Sequence, residues 1–178
     1  NPENRGEARF VLSSDGVKFD AGRKYQTPAR LSRVGEFGDG AWIFVYQEGQ
    51  GQNTMDQIRI TRDRGASFSE AIAISSRPRA KDTAFVRRPD AALDAYYVAW
   101  HGHGYSLYRR KIDSSGTLGK EERLTDDTLD TQKPNPIRRK DGSLLIVFNK
   151  TTLTKTTSNA RSETTSDLVT LRLPVDAP

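Results

Sequence analysis

The sequence predicts an all-β protein built from repeated four-stranded antiparallel sheets. Short runs rich in Val, Ile, Tyr, Phe and Trp end at Gly, Asp, Asn, Ser or Pro, which is typical of strands between turns. No run carries the i, i+3, i+4, i+7 apolar stripe of a helix, and the runs recur at a regular spacing. With 178 residues, the chain is long enough for one domain with a core.

Composition restricts the classes of partner. The chain has no cysteine, which excludes a disulfide framework and a thiolate metal site. Its formal net charge is +5 with both signs interspersed, so the charge balance does not require a polyanion as partner. No apolar stretch approaches the roughly 18 to 20 residues of a membrane-spanning helix. We therefore expect no nucleic-acid partner and no membrane span.

The repeat is visible in the strongest apolar runs. These runs end at aromatic residues 54 and 48 residues apart: Tyr46, Trp100 and Phe148. A weaker run precedes each of them, and a run of alternating apolar and basic residues follows. The weaker runs are 27–31, 82–86 and 133–137, and the alternating runs are 58–60, 107–112 and 168–173. Continuous apolar runs indicate strands buried on both faces, and alternation indicates one face in solvent.

Three successive copies of a four-stranded meander predict a β-propeller, in which each blade is covered by its neighbours on both faces. The predicted organisation is a hairpin of an incomplete blade at 1–24, a blade at 25–76, a second at 77–127 and an incomplete blade at 128–178. A β-sandwich with evenly spaced strands is the alternative. Because propellers typically have four to eight blades, about three and a half blades leave the ring open. Further blades, a second copy of the chain or a compact four-blade ring would each close it.

A turn motif separates the third and fourth strands of the first repeat. The segment Thr61-Arg62-Asp63-Arg64-Gly65-Ala66-Ser67-Phe68 resembles the Asp-box of BNR-repeat proteins. In such a turn Asp63 accepts hydrogen bonds from backbone amides, and Gly65 supplies a positive φ. Phe68 is expected to fold back into the core between blades. We therefore assign Thr61, Asp63, Gly65, Ser67 and Phe68 a structural role.

Two weaker copies of this motif support the repeat. They contain Asp15 and Asp113, which lie 48 residues before and 50 residues after Asp63. The spacing agrees with that of the strands. On these motifs the chain resembles the sialidase (neuraminidase)-like β-propeller superfamily, which implies a secreted or periplasmic location.

The resemblance also implies a test for sialidase activity. Sialidases grip the substrate carboxylate with three arginines, the first in a Tyr/Phe-Arg-Ile-Pro motif. The matching residues here are Tyr25-Gln26-Thr27-Pro28, and the amide of Gln26 carries no charge. Asp56 is the candidate for the acid/base carboxylate, and no tyrosine follows Tyr108 to serve as the nucleophile.

The predicted function is therefore a non-catalytic, extracytoplasmic module for glycan or protein recognition or for assembly. The alternative is a sialidase-like exo-glycoside hydrolase, or a fragment of one, with Asp56 as acid/base. The predicted binding face collects loops that enter the inner strands and loops that leave the apolar strands. Its candidate residues are Tyr25, Gln26, Glu48, Asp56, Asp82, His101, His103, Lys133 and Asn149.

Metal binding has two candidate segments, but neither supplies a complete set of ligands. His101 and His103 could present two imidazoles, and residues 125–130 are rich in oxygen ligands that suit calcium. EF-hand spacing is absent, so we expect no cofactor. Residues 151–167 are rich in Thr and Ser and are expected to form a long mobile loop in the third blade.

Overall fold

The computed structural model describes residues 9–13, 15–24, 30–49, 53–126, 130–156 and 162–174. These residues form 13 strands and no α-helix, and they contain no helix long and apolar enough to cross a membrane. The strands are β1 Arg9–Phe10, β2 Arg23–Lys24, β3 Arg30–Glu36, β4 Trp42–Glu48, β5 Met55–Thr61, β6 Ile72–Ala73, β7 Lys81–Arg87, β8 Leu93–Trp100, β9 Tyr105–Ile112, β10 Glu122–Arg123, β11 Asp130–Arg138, β12 Leu144–Thr156 and β13 Ser162–Leu173.

The strands pair in chain order into four antiparallel sheets. Sheet A contains β1 and β2, sheet B contains β3 to β6, sheet C contains β7 to β10, and sheet D contains β11 to β13. Sheets B and C are the predicted four-stranded meanders. Each ends in an edge strand of only two residues, β6 or β10, and short edge strands limit pairing with other chains.

Sheet C lies between sheets B and D and is buried on both faces. Tyr97 and Ala95 pack with Ile43 of sheet B in one apolar layer. Tyr96 packs with Phe148 of sheet D in a second layer. Seven of the eight residues of β8 are buried, which explains why its sequence shows no alternation. The first strands of neighbouring sheets, β3, β7 and β11, contact one another. Four-stranded sheets stacked around their first strands form a β-propeller, so the predicted fold class is confirmed.

The prediction of a long loop at 151–167 is wrong. Strand β12 continues to Thr156 and β13 begins at Ser162. The two strands pair through this segment, from Thr151 opposite Ser166 to Thr156 opposite Ser162. Threonine is β-branched and favours strands, so the Thr-rich segment lengthens the two strands of the hairpin and does not form a loop.

The turn around Asp63 lies between β5 and β6, where the sequence predicts it. The carboxylate of Asp63 accepts hydrogen bonds from the hydroxyl of Thr61 (2.8 Å) and from the amide and hydroxyl of Ser67 (2.9 and 2.6 Å). These hydrogen bonds, those from Ser67 first, hold the pKa of Asp63 below its usual value. Gly65 has a φ of 83°, a conformation that glycine adopts without steric cost.

Phe68, which the sequence predicts in a core between blades, packs on the face of sheet B that lies away from sheet C. Its ring contacts Phe44 edge to face, with centroids 5.2 Å apart. Phe44 alternates with Ile43 and Val45, which face sheet C, so Phe68 covers the opposite face of sheet B. The same kind of turn recurs elsewhere, because Asp15 accepts from the amide of Lys18 and Asp113 from that of Thr117.

The turns of sheets B and C also touch directly. The amide of Gly38 donates to the carbonyl of Ala91 (2.8 Å). A Cβ at position 38 would lie 2.3 Å from the Cβ of Ala91, so this contact requires glycine.

We predict that Gly38→Ala separates these turns and lowers the free energy of unfolding by about 1–3 kcal/mol, the usual range for overpacking. Gly104→Ala is the matched control, because its Cβ would meet its nearest atom, Oδ1 of Asp130, at 3.5 Å. Urea denaturation of both variants measures the difference. Equal effects would show that the Gly38 contact does not limit the packing of the sheets.

Candidate functional site

One end of the stack collects several of the predicted site residues. Antiparallel pairing places the end of β4 and the start of β5 together, with Glu48 opposite Met55. Asp56 at the start of β5 contacts Thr83 near the start of β7, and Asp82 contacts Lys133 in β11. The structure therefore brings Asp56, Asp82 and Lys133 into one row across sheets B, C and D. Tyr25 and Gln26 lie outside the described residues.

Asp56 is fully buried between sheets B and C. Its Oδ2 accepts hydrogen bonds from the amide (3.0 Å) and the hydroxyl (2.7 Å) of Thr83. Within the described part of the chain, Oδ1 has no hydrogen-bond partner. Burial raises the pKa of Asp56 to about 6, and the charge of Asp82 adds to the rise, whereas the Thr83 hydrogen bonds and Lys81 oppose it. In this conformation neither solvent nor a dissolved ligand reaches the carboxyl group.

Asp82 and Lys133 occupy β-bulges in the first strands of sheets C and D. The register shifts between Lys81 and Ala84 and again between Gln132 and Asn135. Asp82 has a φ of 60° and Lys133 a φ of 52°, which is uncommon for residues with a side chain. The amide of Lys133 donates to Oδ2 of Asp82 (3.3 Å). Bulges redirect side chains and are frequent beside binding sites.

Two aromatic residues and two cations lie at the same end of sheet C. The rings of Trp100 and Tyr105 meet edge to face with centroids 5.4 Å apart. The guanidinium of Arg79 lies 4.8 Å from the Trp100 centroid, and Nζ of Lys81 lies 4.1 Å from that of Tyr105. The amide of Tyr105 donates to Asp130 of sheet D (3.0 Å), which places the group where sheets C and D meet.

We give the name mouth site to five residues that lie together at the end of the stack where sheets C and D meet: Lys81, Asp82, Trp100, Tyr105 and Lys133. The sequence prediction missed Lys81, Trp100 and Tyr105. A signal was present, since Trp100 ends one strand and Tyr105 begins the next, and a hairpin pairs them directly. Lys81 carried no comparable signal, because its contact with Tyr105 comes from a different hairpin.

The histidines lie in the loop that joins β8 to β9. The amide of His101 donates to the carbonyl of Gly104 (3.1 Å), and His103 is exposed. Partial burial lowers the pKa of His101, as does the charge of Arg123. Across the described ranges no group of three or more metal-ligating side chains converges. The calcium candidate at 125–130 falls partly outside those ranges, since residues 127–129 are not described.

Glu48 and Asn149 do not join the mouth site. Asn149 follows Phe148, which faces sheet C, so Asn149 points to the opposite side of sheet D. Val45 faces sheet C, and side chains along a strand point alternately to its two faces. The exposed side chain of Glu48, three positions later, therefore lies on the side of sheet B away from sheet C. Neighbouring positions in a strand face opposite ways, and sequence position alone did not reveal which face each took.

Comparison with solved structures identifies proteins of the same fold. The chain is similar to the GH93 α-L-arabinofuranosidase of Fusarium graminearum in complex with arabinobiose, with a TM-score of 0.62 and 13% identity over 92% of this chain and 54% of that one. A mutant of the Fusarium graminearum α-L-arabinofuranosidase with an iminosugar inhibitor gives a TM-score of 0.64 and 12% identity over 93% and 54%. A mannose phosphorylase from Leishmania mexicana with a phosphate ion gives 0.59 and 10% over 94% and 55%.

The chain spans about half the length of these structures. No protein-family model matches the chain, and no curated protein matches it in sequence. At such low identities the likeness concerns the fold, so the class of protein defined here is a β-propeller.

We predict that Asp56→Asn changes how stability depends on pH. Below about pH 4 the carboxyl is protonated in the folded and unfolded states. Between about pH 4 and 6 the unfolded chain ionises while the folded chain stays protonated, so burial of Asp56 destabilises the wild type progressively as pH rises. A shift of about two pKa units corresponds to about 3 kcal/mol, which the asparagine variant avoids.

Urea denaturation from pH 4 to pH 7.5 measures this effect. The stability of Asp56→Asn relative to wild type is expected to rise over that window and to level off above about pH 6. The exposed Asp167→Asn serves as control and should follow the wild type. A constant difference between Asp56→Asn and wild type would contradict a raised pKa for Asp56.

Proposed function

We propose that this β-propeller chain is a non-catalytic, extracytoplasmic module that binds a glycan at the mouth site. The observation that carries the proposal is the convergence of an aromatic pair with charged groups from two sheets. Trp100 and Tyr105 offer apolar rings, while Lys81, Asp82 and Lys133 offer donors and acceptors. Such a mixture suits a saccharide, which has apolar C–H faces and a hydroxyl rim.

The similar structures support this choice of ligand. The Fusarium graminearum enzyme of similar fold holds arabinobiose. The likeness to BNR-repeat proteins in the turns at Asp15, Asp63 and Asp113 supports a secreted or periplasmic location. These turns are structural, so they do not compete with the mouth site for a functional role.

The geometry of Asp56 favours binding over hydrolysis. Glycoside hydrolases commonly place two carboxyl groups on either side of the scissile bond. Asp56, the acid/base candidate, is fully buried and held by Thr83, so it does not reach a bound sugar in this conformation. One observation favours the alternative of a sialidase-like hydrolase. The pKa of Asp56, about 6, lies in the range that suits a general acid near neutral pH.

We predict that Tyr105→Ala weakens glycan binding at least about tenfold, which corresponds to about 1.4 kcal/mol. The variant loses the ring that lies beside Trp100 and beneath Lys81. A glycan array identifies ligands, and calorimetry with arabinobiose, longer arabino-oligosaccharides and manno-oligosaccharides measures affinity.

Phe19→Ala is the matched aromatic control. Phe19 is exposed, and the amide of the next residue, Asp20, donates to the carbonyl of Leu12 (2.9 Å). Leu12 lines a cavity with Glu36 and Trp42 at the end of sheet B away from the mouth site. Its loss should leave affinity unchanged. If no glycan on the array binds, or if the two alanine variants bind equally, the mouth site is not a glycan site.

A second assay separates binding from catalysis. We expect no release of fluorophore from 4-methylumbelliferyl glycosides of sialic acid or arabinofuranose, because Asp56 is shielded. Turnover by the wild type that Asp56→Asn abolishes would defeat the non-catalytic assignment and support the hydrolase. The array result is independent of this outcome.

A further inference from the structure

Asp56 is a buried carboxyl group that joins sheets B and C, and its Oδ1 has no hydrogen-bond partner among the residues that the structure describes. We propose that Asp56 is a positioning residue: through Thr83 it fixes the bulge of β7, and through Asp82 it fixes the bulge of β11, so that Asp82 and Lys133 are held at the mouth site. This inference deepens the proposed function and rests on it for the role of the mouth site.

The backbone and side chain of Asp56 together tie sheet B to the segment that enters sheet C. Its amide donates to the carbonyl of Ala80 (2.7 Å), and its carbonyl accepts from the amide of Ile74 (3.1 Å). Its Oδ2 accepts from the amide and hydroxyl of Thr83. One residue of β5 therefore holds both the end of the link between β6 and β7 and the bulge that follows it.

The contact then passes to sheet D. Asp82 directly precedes Thr83 in the β7 bulge, and its carboxylate accepts from the amide of Lys133. Asp82 and Lys133 occupy equivalent positions, since each lies five residues before the last residue of its strand. Both have a positive φ, which persists only where neighbouring contacts enforce it. Hydrogen bonds thus run from sheet B through sheet C to sheet D.

The junction of sheets C and D provides an internal comparison. In β9, Leu107 takes the position that Asp56 has in β5, five residues before the end of the strand. In β11, Pro134 takes the position that Thr83 has in β7, four residues before the end. Leu107 and Pro134 are both buried. The carboxylate is therefore present where the facing strand offers an amide and is replaced by leucine where proline removes that donor.

This comparison shows that stacking of the sheets does not require the polar pair. An apolar pair at the equivalent positions avoids the desolvation that raises the pKa of Asp56, and apolar replacements of buried ionic pairs are often neutral or stabilising. What Asp56 adds is a directed contact to one amide, which sets the path of the β7 bulge. The bulge in turn carries Lys81, which lies over Tyr105, and Asp82, which holds Lys133.

Amide hydrogen exchange of the free protein, followed by NMR, tests the inference without a ligand. In Asp56→Ala, exchange at the amides of Thr83 and Lys133 should both accelerate at least about tenfold, because local opening governs exchange. Asp56→Asn keeps an acceptor oxygen and should restore most of the protection at both. The amide of Ser143, bonded to Asp141 in a distant turn, is the reference and should not change.

Acceleration at Thr83 alone would overturn the inference, because the contact would then end at sheet C. No acceleration at either amide would overturn it as well. Since Asp56→Ala leaves a buried amide without an acceptor and could prevent folding, a second variant is needed. Asp56→Leu/Thr83→Pro copies the apolar pair of the C–D junction and removes the donor together with its acceptor.

We expect the double variant to unfold at a urea concentration equal to or above that of wild type at pH 7.5. Its Lys133 amide should nevertheless exchange at least about tenfold faster, and its affinity for arabino-oligosaccharides should fall by a similar factor. If the Lys133 amide of this variant exchanges at the wild-type rate, Asp56 has a purely structural role and the inference is wrong. If no glycan binds the wild type, the proposed function fails, whereas the exchange data still decide whether Asp56 positions Lys133.

Discussion

Burial of sheet C on both faces is the constraint on which the rest of the structure depends. Strand β8 contributes Tyr97 to one apolar layer and Tyr96 to the other, so neither layer forms without it. Because both faces are covered, the relative placement of sheets B and D is set by one strand of eight residues. The last residue of that strand, Trp100, belongs to the mouth site, so the packing of β8 in the core also sets the position of a site residue.

Polar groups at the two ends of the stack have different roles. At one end, short turns such as that of Asp63 satisfy their own amides and connect consecutive strands. At the other end, Asp56 and Asp82 accept hydrogen bonds from neighbouring sheets. The first kind of contact closes a hairpin. The second kind crosses between hairpins and therefore sets how the first strands of successive sheets lie relative to one another.

Prediction from sequence succeeded where the signal is local and failed where it is not. Continuous apolar runs predicted strands such as β4 and β8, since two-sided burial removes alternation. The Thr-rich hairpin was predicted as a loop because its residues are polar, whereas the high β-propensity of threonine favours the strands that are observed. Asp56 was chosen for its place before the turn, and burial, which the sequence did not indicate, changed what it can do.

The sequence by itself determined the strands, their repeat and the turns that join them, because the contacts that define these features lie within a few residues. Only the tertiary structure decided that Asp56 is buried against Thr83, that Lys81 lies over Tyr105 and that Asp82 reaches Lys133. Each of these pairs joins residues more than 20 positions apart in the chain, so their proximity follows from how whole sheets stack and how bulges redirect single residues.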